Sequence, residues 1–78
     1  MDMANNKITV EQFFAKGGLC IAYLTGFNVR SFYTFKDFAS INLQEVCNLD
    51  FRWNGWQYKL SSNIITPETY LIAFSKLQ

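Results

Sequence analysis

The sequence predicts an α+β fold, in which two β-hairpins form a four-stranded antiparallel sheet and about three short helices pack on one of its faces. Three observations support this fold class. An Asn-Gly pair at 54–55 stands between two alternating runs, which is typical of a two-residue hairpin turn. A second alternating run follows Thr25-Gly26. Thr or Asn residues suited to helix caps precede the remaining apolar stretches, so the expected order is α-β-β-α-β-β-α.

The first elements are a short helix and a hairpin. Thr9 is suited to the N-cap position, Gln12 can complete a capping box with it, and Gly17-Gly18 ends the helix. The apolar run at 19–25 and the alternating run at 28–34 then predict two strands joined by a tight turn.

The middle of the chain contains two further helix starts, one at Thr34 and one at Asn42. Both caps are difficult to satisfy within one continuous helix, because each draws its own backbone N–H groups out of the helical pattern. The sequence therefore predicts a broken helix across 35–47.

The second hairpin, at 48–61, is predicted together with its register. Folding the chain at Asn54-Gly55 places six apolar side chains on one face, because side chains alternate along a strand. The apolar pairs are Trp53 with Trp56, Phe51 with Tyr58, and Leu49 with Leu60. The pairs on the opposite face are Arg52 with Gln57 and Asp50 with Lys59, of which the second joins opposite charges.

The last stretch has the pattern of a helix start. Thr66 is suited to the N-cap, Pro67 to the first helical position, and Glu68 complements the helix dipole. Apolar residues then recur at helical spacing, which predicts a C-terminal helix packed on the sheet. The predicted apolar stripe consists of Tyr70, Leu71, Phe74 and Leu77.

Length and composition indicate one small domain at 8–78, preceded by a polar, frayed tail at 1–7. Half of the 78 residues are apolar and 18% are aromatic, whereas only 17% are charged. A small domain with this composition is expected to leave aromatic area exposed, as contact sites do. Cys20 and Cys47 are too few for a disulfide-stapled secreted protein, so we expect a cytoplasmic protein with free, buried thiols, a single bridge being the alternative.

The residue types argue against catalysis. The chain has no histidine, which removes the commonest general base and most zinc sites. Four of its six carboxylates fall in predicted first turns of helices, where the dipole accounts for them. No glycine-rich phosphate loop is present. The sequence therefore predicts a protein that is not an enzyme and has no metal or cofactor.

The tip of the second hairpin is the first candidate for a binding site. Trp53 and Trp56 flank the turn and Arg52 is adjacent, and these residue types dominate protein interfaces. If the tip projects beyond the helices, it presents both indoles to a partner; otherwise the two tryptophans complete the core. The favoured function is a protein-interaction module, with a phage- or mobile-element-encoded inhibitor of a larger host protein complex as its specific form.

Two alternatives use the open face of the expected sheet. Arg30 and Phe32 are predicted to lie there beside Arg52, and an aromatic ring flanked by guanidinium groups is typical of sheets that bind single-stranded nucleic acid. The net charge of only +1 gives this alternative little support and argues against a membrane surface. The other alternative is a homodimeric regulator that pairs through the open face or an edge strand.

Overall fold

The computed structural model describes residues 7–77, which form six strands and two α-helices. The predicted frayed tail lies outside the described residues except for Lys7, which begins the first strand. Short 3-10 turns lie at Thr25–Phe27 and Leu43–Glu45. The elements in chain order are β1 (Lys7–Thr9), α1 (Val10–Ala15), β2 (Leu19–Leu24), β3 (Asn28–Phe32), α2 (Phe35–Ala39), β4 (Val46–Trp53), β5 (Trp56–Leu60) and β6 (Tyr70–Lys76).

All six strands belong to one sheet in the order β1-β6-β5-β4-β2-β3, and every neighbouring pair is antiparallel. The predicted four-stranded sheet with about three helices is therefore wrong. The four expected strands are present, but two more extend the sheet beyond β5. The last of these, β6, lies between the first strand and the fifth.

The expected C-terminal helix is a strand because its start pattern forms a turn. Thr69 N donates to Thr66 O at 3.1 Å, and Thr66 N donates to the Thr69 hydroxyl at 2.9 Å. The Thr69 and Pro67 carbonyls accept the first two N–H groups of α1, from Val10 at 2.8 Å and Glu11 at 3.1 Å. These bonds hold residues 66–69 as a turn against the start of α1 rather than as the first turn of a helix. The chain then continues as β6, with β1 on one side and β5 on the other.

The predicted N-caps of the two other helices are confirmed. Thr9 and Gln12 form the capping box of α1, with Gln12 N donating to the Thr9 hydroxyl at 3.2 Å. Thr34 caps α2 through its hydroxyl alone, which accepts from Asp37 N at 3.1 Å. The helix at 35–47 is broken, because α2 ends at Ala39 and only the 3-10 turn follows. Residues 7–77 include no helix with the length and apolar character needed to cross a membrane.

The two predicted hairpins are also present. The β4–β5 register is confirmed over three pairs, which are Trp53 with Trp56, Arg52 with Gln57, and Phe51 with Tyr58. The expected Asp50–Lys59 charge pair is replaced: Asp50 bonds to Arg52 and Gln57, and Lys59 Nζ lies 5.7 Å from the centroid of the Phe74 ring. Contacts with β6, which the sequence placed in a helix, therefore changed the environment of Lys59.

The core is an aromatic cluster between the two helices and one face of the sheet. The Phe13 ring packs edge-on against Phe51 and Tyr58, each at 5.7 Å between centroids. Phe38 of α2 packs against Phe51 at 5.5 Å, so both helices meet the same strand. The backbone at Gly18 passes so close to Phe13 that a Cβ atom there would lie 2.4 Å from the ring, which explains why this position has no side chain.

Candidate functional site

The helices cover only one face of the sheet, and the candidate site lies on the other, which we call the uncovered face. Inward residues such as Ala22, Phe51 and Leu71 are buried, whereas their strand neighbours point away from the helices. Several of these neighbours are large and exposed, as at a contact surface. The uncovered face consists of Lys7, Leu19, Ile21, Tyr23, Val29, Ser31, Asn48, Asp50, Arg52, Gln57, Lys59, Tyr70, Ile72 and Phe74.

A depression of about 480 Å³ lies at the centre of this face. Two aromatic side chains flank it, Tyr23 from β2 with 37% of its surface exposed and Phe74 from β6 with 53% exposed. The floor between them is polar and comes from the two middle strands. Its side chains are those of Asn48, Asp50, Gln57 and Lys59.

The floor is organised around one buried carboxylate. Asp50 is only 6% exposed, and its Oδ2 accepts hydrogen bonds from Arg52, 2.9 Å from Nε and 2.7 Å from Nη2. Its Oδ1 accepts a hydrogen bond from Gln57 Nε2 at 2.9 Å. Burial by itself would raise the pKa of Asp50, but these hydrogen bonds and the guanidinium charge outweigh it, so the pKa lies below the ordinary value of 3.8. The carboxylate therefore holds two donors in fixed positions at the depression.

Replacing Asp50 by asparagine should lower the free energy of unfolding by about 1–3 kcal/mol at pH 7, because a charged pair of hydrogen bonds is lost. Because the pKa of Asp50 is lowered in the folded protein, this loss of stability depends on pH. The contribution of Asp50 is present above its unfolded pKa and disappears as the pH falls through the lower folded value. Urea unfolding of both proteins at pH 7, 5, 4, 3 and 2 should show the difference shrinking below about pH 4.

Asp37→Asn is the matched control for Asp50→Asn, because Asp37 is an exposed aspartate in the first turn of α2. It should cost less than Asp50→Asn at pH 7. A difference between Asp50→Asn and wild type that stays constant from pH 7 to pH 2 would contradict the proposed role of the carboxylate.

Two lysines lie over aromatic rings on the same face. Lys7 Nζ is 4.5 Å from the centroid of Tyr70, and Lys59 Nζ is 5.7 Å from that of Phe74. Each contact is worth about 0.5–1 kcal/mol when exposed, enough to favour one orientation of an exposed ring. Because Asp50 neutralises Arg52, Lys7 and Lys59 are the two cations of this face that have no carboxylate partner among the described residues.

The open-face patch expected from Arg30, Phe32 and Arg52 does not form. Arg30 pairs with Ala22 and Phe32 pairs with Cys20, so both point toward the helices, while Arg52 lies on the uncovered face. Phe32 is 2% exposed and belongs to the core, with the Arg30 guanidinium 5.3 Å from its ring centroid. The side chains of β3 therefore point to the opposite faces of the sheet from those predicted.

The two tryptophans of the hairpin tip also point toward the helices, and both are half-buried against the core. Trp53 Nε1 donates to the carbonyl of Lys16, just after α1, at 3.2 Å, and its ring packs 6.3 Å from that of Tyr58. Trp56 has Lys76 Nζ 5.9 Å from its ring centroid. Their role in partner binding stays a prediction, but replacing both with alanine would remove core contacts and so could not leave the fold unchanged.

The cysteines are free, and only one of them is buried. Burial, together with the nearby charge of Asp50, raises the pKa of Cys20 to about 12, so its thiol is unreactive. Cys47 is exposed, contrary to the expectation that both are buried, because β4 has a bulge where Leu24 pairs with Val46 and Tyr23 with Asn48. Within residues 7–77, no group of three His, Cys, Asp or Glu side chains could hold a metal ion.

Comparison of this chain with family models, with curated proteins and with solved structures finds no match. The candidate site is therefore argued from its own residues. Sequence reasoning missed Tyr23 and Phe74, because it read the first within a buried strand and the second within a helical stripe. Strand alternation around the small residues Cys20 and Ala22 was the available signal for Tyr23.

Proposed function

We propose that this protein is a non-enzymatic protein-interaction module that binds its partner through the uncovered face, with the depression between Tyr23 and Phe74 at the centre of the contact. The observation that supports this proposal is the pair of exposed aromatic rings on either side of a polar floor. Exposed apolar area concentrated in one place is typical of protein contact sites, and aromatic anchors supply most of the binding energy there.

The polar floor makes the surface suitable for binding without rearrangement. The Asp50 carboxylate is already satisfied by Arg52 and Gln57, so covering it with a partner does not leave this carboxylate unpaired. Both aromatic anchors belong to strands of one hydrogen-bonded sheet, and Lys59 Nζ lies over the ring of Phe74. A preorganised surface loses little conformational entropy on binding, and more of the contact energy appears as affinity.

Single-stranded nucleic acid is the second candidate ligand, favoured by the two lysine–aromatic contacts on this face. The size of the expected electrostatic effect favours a protein instead. The two lysines of this face would release about two counterions, and affinity would fall only about sevenfold between 50 and 200 mM salt, at a slope of roughly 0.7 per phosphate contact. Dedicated nucleic-acid binders lose far more, because they make many more phosphate contacts.

The specific form of this proposal is a cytoplasmic inhibitor, encoded by a phage or mobile element, that occupies a surface on a larger host complex. The exposed aromatic residues of the uncovered face support this form, since a small domain can act by covering a surface that the complex needs. Adding the purified protein to the isolated complex should then stop the complex from binding its own ligand.

Single serine substitutions at Tyr23 and Phe74 test the contact surface. The tagged protein is used to capture its partner from lysate of the native host, and binding is then measured between the two purified components. Each substitution should weaken binding at least about tenfold, because hot-spot aromatics contribute upwards of 1–2 kcal/mol. Ile64→Ser is the matched control: Ile64 is 71% exposed but lies in the loop before β6, outside the uncovered face.

Equal binding by all three variants would show that the uncovered face is not the contact surface. A captured partner that is nucleic acid, with affinity falling about sevenfold or more between 50 and 200 mM salt, would replace the proposed class of partner.

A further inference from the structure

β3 is the outermost strand at one end of the sheet, and its outer edge is exposed. Four of its five residues are exposed, and its one neighbour in the sheet is β2. We propose that two copies of this chain pair antiparallel through β3, about a two-fold axis at Ser31, so that two six-stranded sheets join into one of twelve strands. Unpaired backbone donors and acceptors at a sheet edge are the usual template for such pairing.

The edge available for pairing runs from Asn28 to Thr34. β3 itself covers Asn28–Phe32, and Thr34, the residue before α2, again has extended backbone angles (φ −133°, ψ 152°). On the other side the extended region stops at Phe27, where φ is +63°. Because Ser31 is the midpoint of 28–34, a symmetric pairing centred there uses the longest possible stretch of this edge.

The two-fold symmetry restricts the register. An axis perpendicular to the sheet keeps each face on its own side, so residues that face each other must share the same face, and one residue must lie opposite its own copy. With Ser31 on the axis, Arg30 lies opposite Phe32 of the second copy and Val29 lies opposite its Tyr33.

The neighbouring registers are unfavourable. An axis at Arg30 would place two guanidinium groups directly opposite each other, which is destabilising in a cross-strand pair. An axis at Val29 would require Phe27 to pair with Ser31, although the backbone at Phe27 is left-handed rather than extended. Charge and backbone geometry therefore disfavour an axis on the N-terminal side of Ser31, and an axis at Phe32 or later would shorten the pairing, because α2 begins at Phe35.

The same register covers two large apolar side chains that are otherwise exposed. Val29 is 58% exposed and Tyr33 is 66% exposed. Each is placed opposite the other across the new strand pair, an aliphatic–aromatic combination that stabilises antiparallel sheets. The pairing repeats on both sides of the axis, so four such side chains are covered. This inference does not depend on the proposed function, because it uses the edge of the sheet rather than the depression.

Ser31→Cys in a Cys47→Ser background tests the position of the axis, since Cys20 is buried and Cys47 is the exposed thiol. Side chains of directly opposed residues on antiparallel strands are close enough for a disulfide, especially at a pair without main-chain hydrogen bonds. Mild oxidation should convert most of the Ser31→Cys protein into a covalent dimer on a non-reducing gel. Ser61→Cys, at an exposed serine in the loop after β5, is the matched control and should run as an uncrosslinked monomer on the same gel.

Sedimentation equilibrium tests the pairing itself. The wild-type chain of 9.1 kDa should sediment as a dimer at micromolar concentration. Val29→Lys places like charges around the axis and should raise the dissociation constant at least about tenfold, while circular dichroism shows the fold retained. A monomeric wild type at 100 µM, equal crosslinking of Ser31→Cys and Ser61→Cys, or a folded Val29→Lys protein that dimerises as the wild type does would each overturn the proposal.

Discussion

Replacing Phe13 by alanine should lower the free energy of unfolding by about 3–5 kcal/mol, as for other large aromatic side chains removed from a core. Phe13 is fully buried and packs against three other aromatic rings. A domain of this size has a total stability of roughly 4–12 kcal/mol, so the loss is a large share of it. Urea unfolding followed by tryptophan fluorescence would measure the change.

Phe27→Ala is the matched control for Phe13→Ala, because it removes the same side chain from a fully exposed position. Its effect should stay within about 0.5 kcal/mol, as for most surface substitutions. Only Phe13 packs in the core. Equal losses from the two substitutions would therefore contradict the core described above.

Leu71→Ala should cost about 2–5 kcal/mol, whereas Phe74→Ala should cost less than about 1 kcal/mol. In β6 the Leu71 side chain is completely buried and the Phe74 side chain is half exposed on the opposite face. The predicted helix would have buried both residues on one stripe. Thermal unfolding of the two variants separates these structures, and similar large losses from both would favour the helix.

Patterns that are decided within a few residues could be predicted from the sequence. The turn at Asn54-Gly55 and the capping box of Thr9 with Gln12 are both present, because each is stabilised by groups two or three positions away. The break after α2 follows from the same kind of local competition between two caps. These local signals were sufficient to place all four β-strands of the two hairpins within about two residues.

The C-terminal strand could not be predicted in this way, because residues distant in sequence determine it. Thr66-Pro67 has the local pattern of a helix start, but the carbonyls of Pro67 and Thr69 accept hydrogen bonds from α1, more than fifty residues earlier. β6 then gains main-chain partners on both sides, from β1 and β5. Such tertiary contacts override a helical spacing of apolar residues that is weak in energy.

The candidate site shows the same limit. Its flanking residues, Tyr23 and Phe74, come together only because β6 joins the sheet, so no local pattern places them on one surface. The orientation of β3 was also undetermined by its own alternation, since Phe32 and Tyr33 are both aromatic neighbours. Pairing with Cys20 directs Phe32 inward and thereby leaves Tyr33 exposed.

The position of β6 in the strand order has a consequence for the order of folding. Strands β2 to β5 can pair among themselves, because each of their contacts joins strands within residues 19–60. β1 has no neighbour in the sheet until β6 has docked. An intermediate that lacks β6 therefore leaves the edge of β5 open to other chains, which favours aggregation of that intermediate.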